Sequence, residues 1–134
     1  MVSEIYVNLP VKDLQRSLAF FTRLGFQFNP AFTNEKAAGM IVADNIFVML
    51  LVEEAFGSFT PRPISDARAT TEVLLALSLG SRAEVEEMVT AAVAAGGALP
   101  RAPQDHGFMY AHAFEDLDGH IWEPFWMDPT HEMS

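Results

Sequence analysis

The sequence predicts an α+β domain made of two similar halves, and three observations carry that expectation. The same succession of patterns (strand, helix, strand, strand, strand) runs through each half. Each half holds one helix with its own start and stop signals, from Asp13 to Gly25 and from Ser81 to Gly97. Each half also closes on two apolar runs joined by a tight turn, at Asp44-Asn45 in the first and Asp118-Gly119 in the second. A length of 134 residues suits a single domain. Its modules span about residues 3–52 and 71–127, with a long loop over 53–70 between them.

In the first module, Ile5 to Leu9 reads as a strand ended by Pro10. Asp13 is placed to cap a helix through Leu24, with Leu14, Leu18, Phe21 and Leu24 on one side. Phe26 to Phe32 alternates aromatic and polar residues as a half-buried strand does, and Gly39 to Ala43 and Ile46 to Val52 follow as strands. The stretch from Glu53 to Thr70 combines Gly57, Ser58, Pro61 and Pro63 with Phe56 and Phe59, the composition of a binding loop or of a linker. In the second module Glu72 to Leu79 reads as a buried strand. Ser81 and Glu84 form a capping box, and Val85, Met88, Val89 and Ala92 form the apolar stripe of the helix they begin. Ala98 to Pro103 is a weak strand, and the hairpin around Asp118-Gly119 completes the module.

Composition removes several functions. The formal net charge is −10, from 18 acidic and 8 basic residues, and no Lys or Arg follows Arg101. A nucleic-acid or anionic-membrane surface needs a basic cluster, so neither is an expected partner. There is no cysteine, which excludes disulfides, thiolate metal ligands and a cysteine nucleophile. The longest apolar run, Ile46 to Val52, is too short to span a bilayer, and the N-terminus has no basic-then-apolar leader profile. A cytoplasmic protein is expected. His106, His120 and His131 lack zinc-site spacing.

The most telling residue is Glu123, a carboxylate inside the aromatic run Ile121 to Met127. Burying it unpaired is costly, so it either faces water or has a use. With Asp118-Gly119 as a two-residue loop, Phe114 lies opposite Glu123; with a four-residue loop over 116–119, His112 does. In both registers Tyr110, His112, Phe114, Glu123 and Phe125 share one face, while Trp122 and Trp126 take the other, under a helix or at a dimer interface. A three-residue loop with a bulge breaks this arrangement. By period two, Tyr6 and Asn8 point the same way on the first strand, and Met40 and Met49 face each other as adaptable apolar surface.

The run Leu9-Pro10-Val11-Lys12-Asp13-Leu14, with Ser17, Phe20-Phe21 and Leu24-Gly25-Phe26, resembles the vicinal oxygen chelate superfamily of glyoxalases, extradiol dioxygenases and bleomycin resistance proteins. In the second half, Ala95-Gly96-Gly97 and Asp116-Leu117-Asp118-Gly119-His120 carry the same resemblance. It implies two βαβββ modules forming an incomplete eight-stranded barrel around a cleft, often completed in a homodimer. It also implies a divalent metal held by one ligand on the first and one on the last strand of each module. Carried onto this chain, those positions are Tyr6, Met49, Leu74 and Glu123. Only Glu123 is a usual ligand, because leucine offers no donor and methionine prefers soft ions. The expectation is therefore a protein without metal cofactor. It binds an apolar or aromatic small molecule in a cleft lined by Tyr6, Asn8, Met49, Leu74, Tyr110, Phe114 and Phe125. The resemblance places Glu123 inside that cleft, and His112 with it, as an acid/base couple, a polar anchor, half of an unusual metal site, or a buried pair with no ligand. The alternatives are a glyoxalase-like lyase or isomerase, or another acid/base enzyme using Glu123 and His112 with a rebuilt metal site, and a dimer with no ligand at all.

Overall fold

The computed structural model describes residues 1–131 and has mixed α and β structure. The chain divides into two compact units, Met1–Asp66 and Ala67 onward. Each holds one sheet, of four strands in the first and five in the second. No ladder joins them, so the described strands do not close into a barrel. Among the described residues, no helix is long and apolar enough to cross a membrane.

In the first unit the sheet runs β1 (Ile5–Val11), β4 (Ile46–Val52), β3 (Ala37–Ala43), β2 (Gln27–Asn29). Pro10 does not end β1. The strand lies at the sheet edge and needs no amide hydrogen toward a second neighbour, so it continues in parallel register with β4 to Val11. Helix α1 (Leu14–Arg23) begins where the Arg16 amide donates to Asp13 Oδ1 at 3.2 Å. Its buried stripe is Leu14, Ser17, Phe20 and Phe21, turned from the expected one so that Leu18 and Leu24 are only half-buried. They pack with Leu9, Val11, Ala38, Met40, Val48 and Leu50 in the unit's core. The strand expected over Phe26 to Phe32 stops at Asn29, because Pro30 opens a 3-10 turn capped by the Asn29 side chain. A short helix α2 (Glu53–Gly57) opens the segment expected to be all loop.

In the second unit the order is β5 (Leu74–Ser78), β9 (Ile121–Met127), β7 (Met109–Ala111), β6 (Gln104–Asp105), with β8 (Phe114–Glu115) also on β9. Helix α3 (Arg82–Ala94) starts at the Ser81 cap, where Ser81 Oγ accepts from the Glu84 amide at 3.1 Å. It buries Val85, Val89 and Ala92. The strand expected over Ala98 to Pro103 reduces to a single bridge between Ala98 and Glu115. Pro100 and Pro103 remove the donors a ladder needs, and pairing resumes only at Gln104.

Candidate functional site

The hairpin register decides which side chains meet. Asp116 and His120 close the turn, the Asp116 amide donating to the His120 carbonyl at 3.0 Å, so three residues, Leu117 to Gly119, form the loop. Ala111 therefore lies opposite Phe125, and Phe114 opposite Trp122. An odd loop makes residues of equal parity share a face. Tyr110, His112 and Phe114 thus join Trp122 and Trp126, not Glu123 and Phe125. The expected His112–Glu123 couple does not form. Tyr110 and Phe114 likewise leave the face assigned to them, and Phe114 stacks on Trp122 as fully buried core.

His112 belongs instead to a polar cluster between the sheet and α3. Its Nδ1–H donates to Glu86 Oε1 at 2.8 Å, and the Tyr110 hydroxyl donates to the same oxygen. The Tyr110 hydroxyl and then His112 hold the Glu86 carboxyl below its ordinary value, while Glu86 pushes the Tyr110 phenol up to about 12. His112 is only 8% exposed, and its Nε2 has no partner among the described residues. One turn earlier, Arg82 grips Asp105 through both carboxylate oxygens at 2.9 Å and donates to the Gly107 carbonyl. Its guanidinium lies over the Tyr110 and Trp126 rings, 5.2 Å from each centroid. Trp126 therefore packs under the helix, as expected.

Two predictions arise here. Glu86→Ala strips the acceptor from Tyr110 and His112; discounted for its half-exposed position, the loss is about 1–2 kcal/mol in urea unfolding. Arg82 holds Asp105 down to about 2, below the ordinary 3.8. A depressed carboxyl stabilises the fold fully above its unfolded value and loses that contribution as pH falls through its folded one. Melting temperature should thus show a decline between pH 3.8 and about 2 that Asp105→Asn removes.

Each sheet has a second face, opposite the one on which the long helix of its unit packs. In the first unit this face carries Tyr6 and Asn8 of β1, in register with Phe47 and Met49 of β4, and then Ile41 and Gly39 of β3. Tyr6 and Phe47 stack with centroids 4.8 Å apart, and Tyr6 stays 41% exposed. Its hydroxyl donates to Glu4, and the Asn8 amide to the Tyr6 carbonyl. Phe32 packs over Gly39 so closely that a Cβ there would lie 2.9 Å from Phe32 Cβ, with Met49 Sδ at 3.5 Å. Met40, paired with Val48, is buried on the opposite side and does not face Met49 across a pocket.

In the second unit the open face carries Leu74, Ala76 and Ser78 of β5, in register with Ile121, Glu123 and Phe125 of β9. Leu74 is 53% exposed. The structure thus puts Tyr6, Asn8 and Met49 together on one face, and Leu74, Glu123 and Phe125 together on another.

The four positions carried over for a metal do not fit a hard divalent ion. Leu74 has no donor, Met49 offers a soft thioether, and the Tyr6 hydroxyl is engaged with Glu4. Among the described residues no three His, Asp or Glu side chains gather as ligands. The sequence also left Glu86 and Asp116 unassigned. Glu86 gave no signal beyond its place beside Val85 of the apolar stripe. Asp116 did, since an Asp opening a turn accepts amides two residues on. Its Oδ1 takes the Asp118 and His120 amides at 2.9 and 3.0 Å, and its Oδ2 takes the Trp122 indole N–H at 3.0 Å.

A family model described as bleomycin resistance protein-like N-terminal matches residues 5–43. No curated protein matches the chain in sequence. Among solved structures, hypothetical protein SA1046 from S. aureus is 27% identical with a TM-score of 0.79, over 94% of this chain and 95% of that one. A glyoxalase-related enzyme from Fulvimarina pelagi is 22% identical with a TM-score of 0.78, over 94% and 88%. A glyoxalase/bleomycin resistance protein/dioxygenase family enzyme from Burkholderia phytofirmans PsJN is 20% identical with a TM-score of 0.75, over 91% and 96%. Taken with the element order, these likenesses show that the chain has the fold of the glyoxalase/bleomycin resistance protein/dioxygenase structures, and its residues 5–43 are similar to the N-terminal part of bleomycin resistance proteins.

Proposed function

We propose that the protein binds an apolar or aromatic small molecule against an open sheet face, as a cytoplasmic homodimer and without a divalent metal. The observation that carries this is that Tyr6, Met49 and Leu74 stand where a hard donor set is expected, with the Tyr6–Phe47 stack left half-exposed in the first unit. Aromatic and thioether surface binds flat apolar molecules well and hard cations poorly. Acid/base catalysis by Glu123 and His112 loses its basis, since the two side chains lie on opposite faces of one sheet.

Elemental analysis of the purified protein, joined to thermal melts with added Mg²⁺, Mn²⁺, Ni²⁺ and Zn²⁺, tests the metal side. A ligand that binds only the folded state raises the melting temperature by mass action. The expected result is no stoichiometric metal and no shift. A tightly held divalent ion overturns it. On the ligand side, Tyr6→Ala should weaken binding of a hydrophobic fluorophore about tenfold, through loss of roughly 1.5 kcal/mol of stacking. Sedimentation gives the oligomeric state.

A further inference from the structure

Glu123 has a use of its own once the metal and the His112 couple are set aside. Its carboxylate takes part in no hydrogen bond or ion pair among the described residues. Ala76 is its direct neighbour on β5, and the unbroken register from Ala111–Phe125 to Phe114–Trp122 sets Ala113 opposite it on the other side. A carboxylate flanked across both neighbouring strands by methyl groups keeps its oxygens clear at the level of the sheet. Along the same face, Ile121 and Phe125 stand two residues to either side, and Leu74 lies beside Ile121. Helix α3 packs on the other face. The result is one carboxylate set in apolar surface with no partner among the described residues.

We propose that Glu123 receives the protonated amine of an amphipathic ligand whose apolar body lies on Leu74, Ile121 and Phe125. This rests on the small-molecule reading above and adds the ligand's charge. An ammonium has three donors and no acceptor, so it suits a carboxylate with nothing else to bind, and low-polarity surroundings strengthen the contact. A neutral molecule of the same shape with no donor gains only the apolar contact. An anion is repelled.

Two probes of nearly equal shape make the test: 2-naphthylmethylamine, a cation near neutral pH, and 2-(methoxymethyl)naphthalene, a neutral ether with no donor. Both are titrated calorimetrically into the full chain and into Glu123→Gln, with melting temperatures recorded for each protein. The amine should bind the unaltered chain about tenfold more tightly than the ether, as a charge-assisted hydrogen bond implies. Glu123→Gln should erase that preference, leave the ether's affinity unchanged and melt normally. Equal affinities for the two probes, or a preference that survives in Glu123→Gln, overturn the amine site while leaving small-molecule binding intact. Failure of both probes to bind the unaltered chain overturns the small-molecule reading and the amine site with it. Should Glu123→Gln melt early, Glu123→Asp replaces it, since shortening the side chain must then reduce the amine's advantage without touching the ether.

Discussion

Asp116→Ala should lower the stability of the second unit by about 3–5 kcal/mol, because one buried carboxylate answers three N–H donors at once. Asp116 is 4% exposed and Trp122 is fully buried, so water cannot replace the lost acceptor without opening the core. At roughly 4 °C per kcal/mol for a chain of this size, a melting temperature lower by about 12–20 °C is expected. The two carboxylate oxygens predict a graded series. Asp116→Asn keeps an oxygen for the Asp118 and His120 amides but turns an NH₂ toward the Trp122 indole, donor against donor. That variant should fall between the native chain and Asp116→Ala. Trp122→Phe in its background should cost less than in the native chain, since the conflict is already present. A loss below about 1 kcal/mol for Asp116→Ala would show that the turn holds without its acceptor. Burial pushes the Asp116 carboxyl up, with His120 and then the three donors opposing it. Its role is thus to be an acceptor at some cost, fixing the turn that sets the register.

Gly119→Ala should be the next most damaging change, at about 2–4 kcal/mol, from two separate causes. Gly119 has φ of +90°, a left-handed conformation that side chains disfavour. A Cβ there would also lie 2.7 Å from Arg68 Cγ, 3.2 Å from Arg68 N and 3.4 Å from the Ala67 carbonyl carbon. The segment entering the second unit crosses directly over the turn, and Arg68 donates to the Leu117 carbonyl. Arg68→Ala combined with Gly119→Ala should recover part of the loss, by relieving the Cγ contact. The backbone approach and the φ penalty remain. Full recovery in the double variant would mean that the φ value costs nothing, and urea unfolding of the three variants measures this directly.

Local chemistry made much of the fold legible in advance. Asp13 and Ser81 cap the two helices with the oxygens expected of them, and the Ile46 to Val52 run is a strand from end to end. Where local rules failed, a neighbour overrode them. Pro10 stays in β1 because the strand is an edge, and edge position is a property of the sheet. The sites divided along the same line. Period-two alternation within a single strand put Tyr6 beside Asn8 correctly. Pairing His112 with Glu123 required the number of residues in a turn, and the Asp-Gly signal marks where a turn lies without stating its length. Glu86 was invisible for a related reason, since its partners arrive from a strand 24 and 26 residues further on.

The three-residue turn acts on the whole second sheet as a parity rule. One residue added to or removed from Leu117 to Gly119 would rotate β7 half a turn against β9. Tyr110 and His112 would then be carried from Glu86 to the side of Glu123, and Ala111 and Ala113 would be driven under α3. Surface turns are where chains ordinarily tolerate changes of length. Here the length of one turn decides whether Glu123 stands among methyl groups or beside an imidazole. Relatives of the same fold that differ by a single residue at this turn are therefore expected to present different chemistry on the same strand, with no substitution in the strand itself.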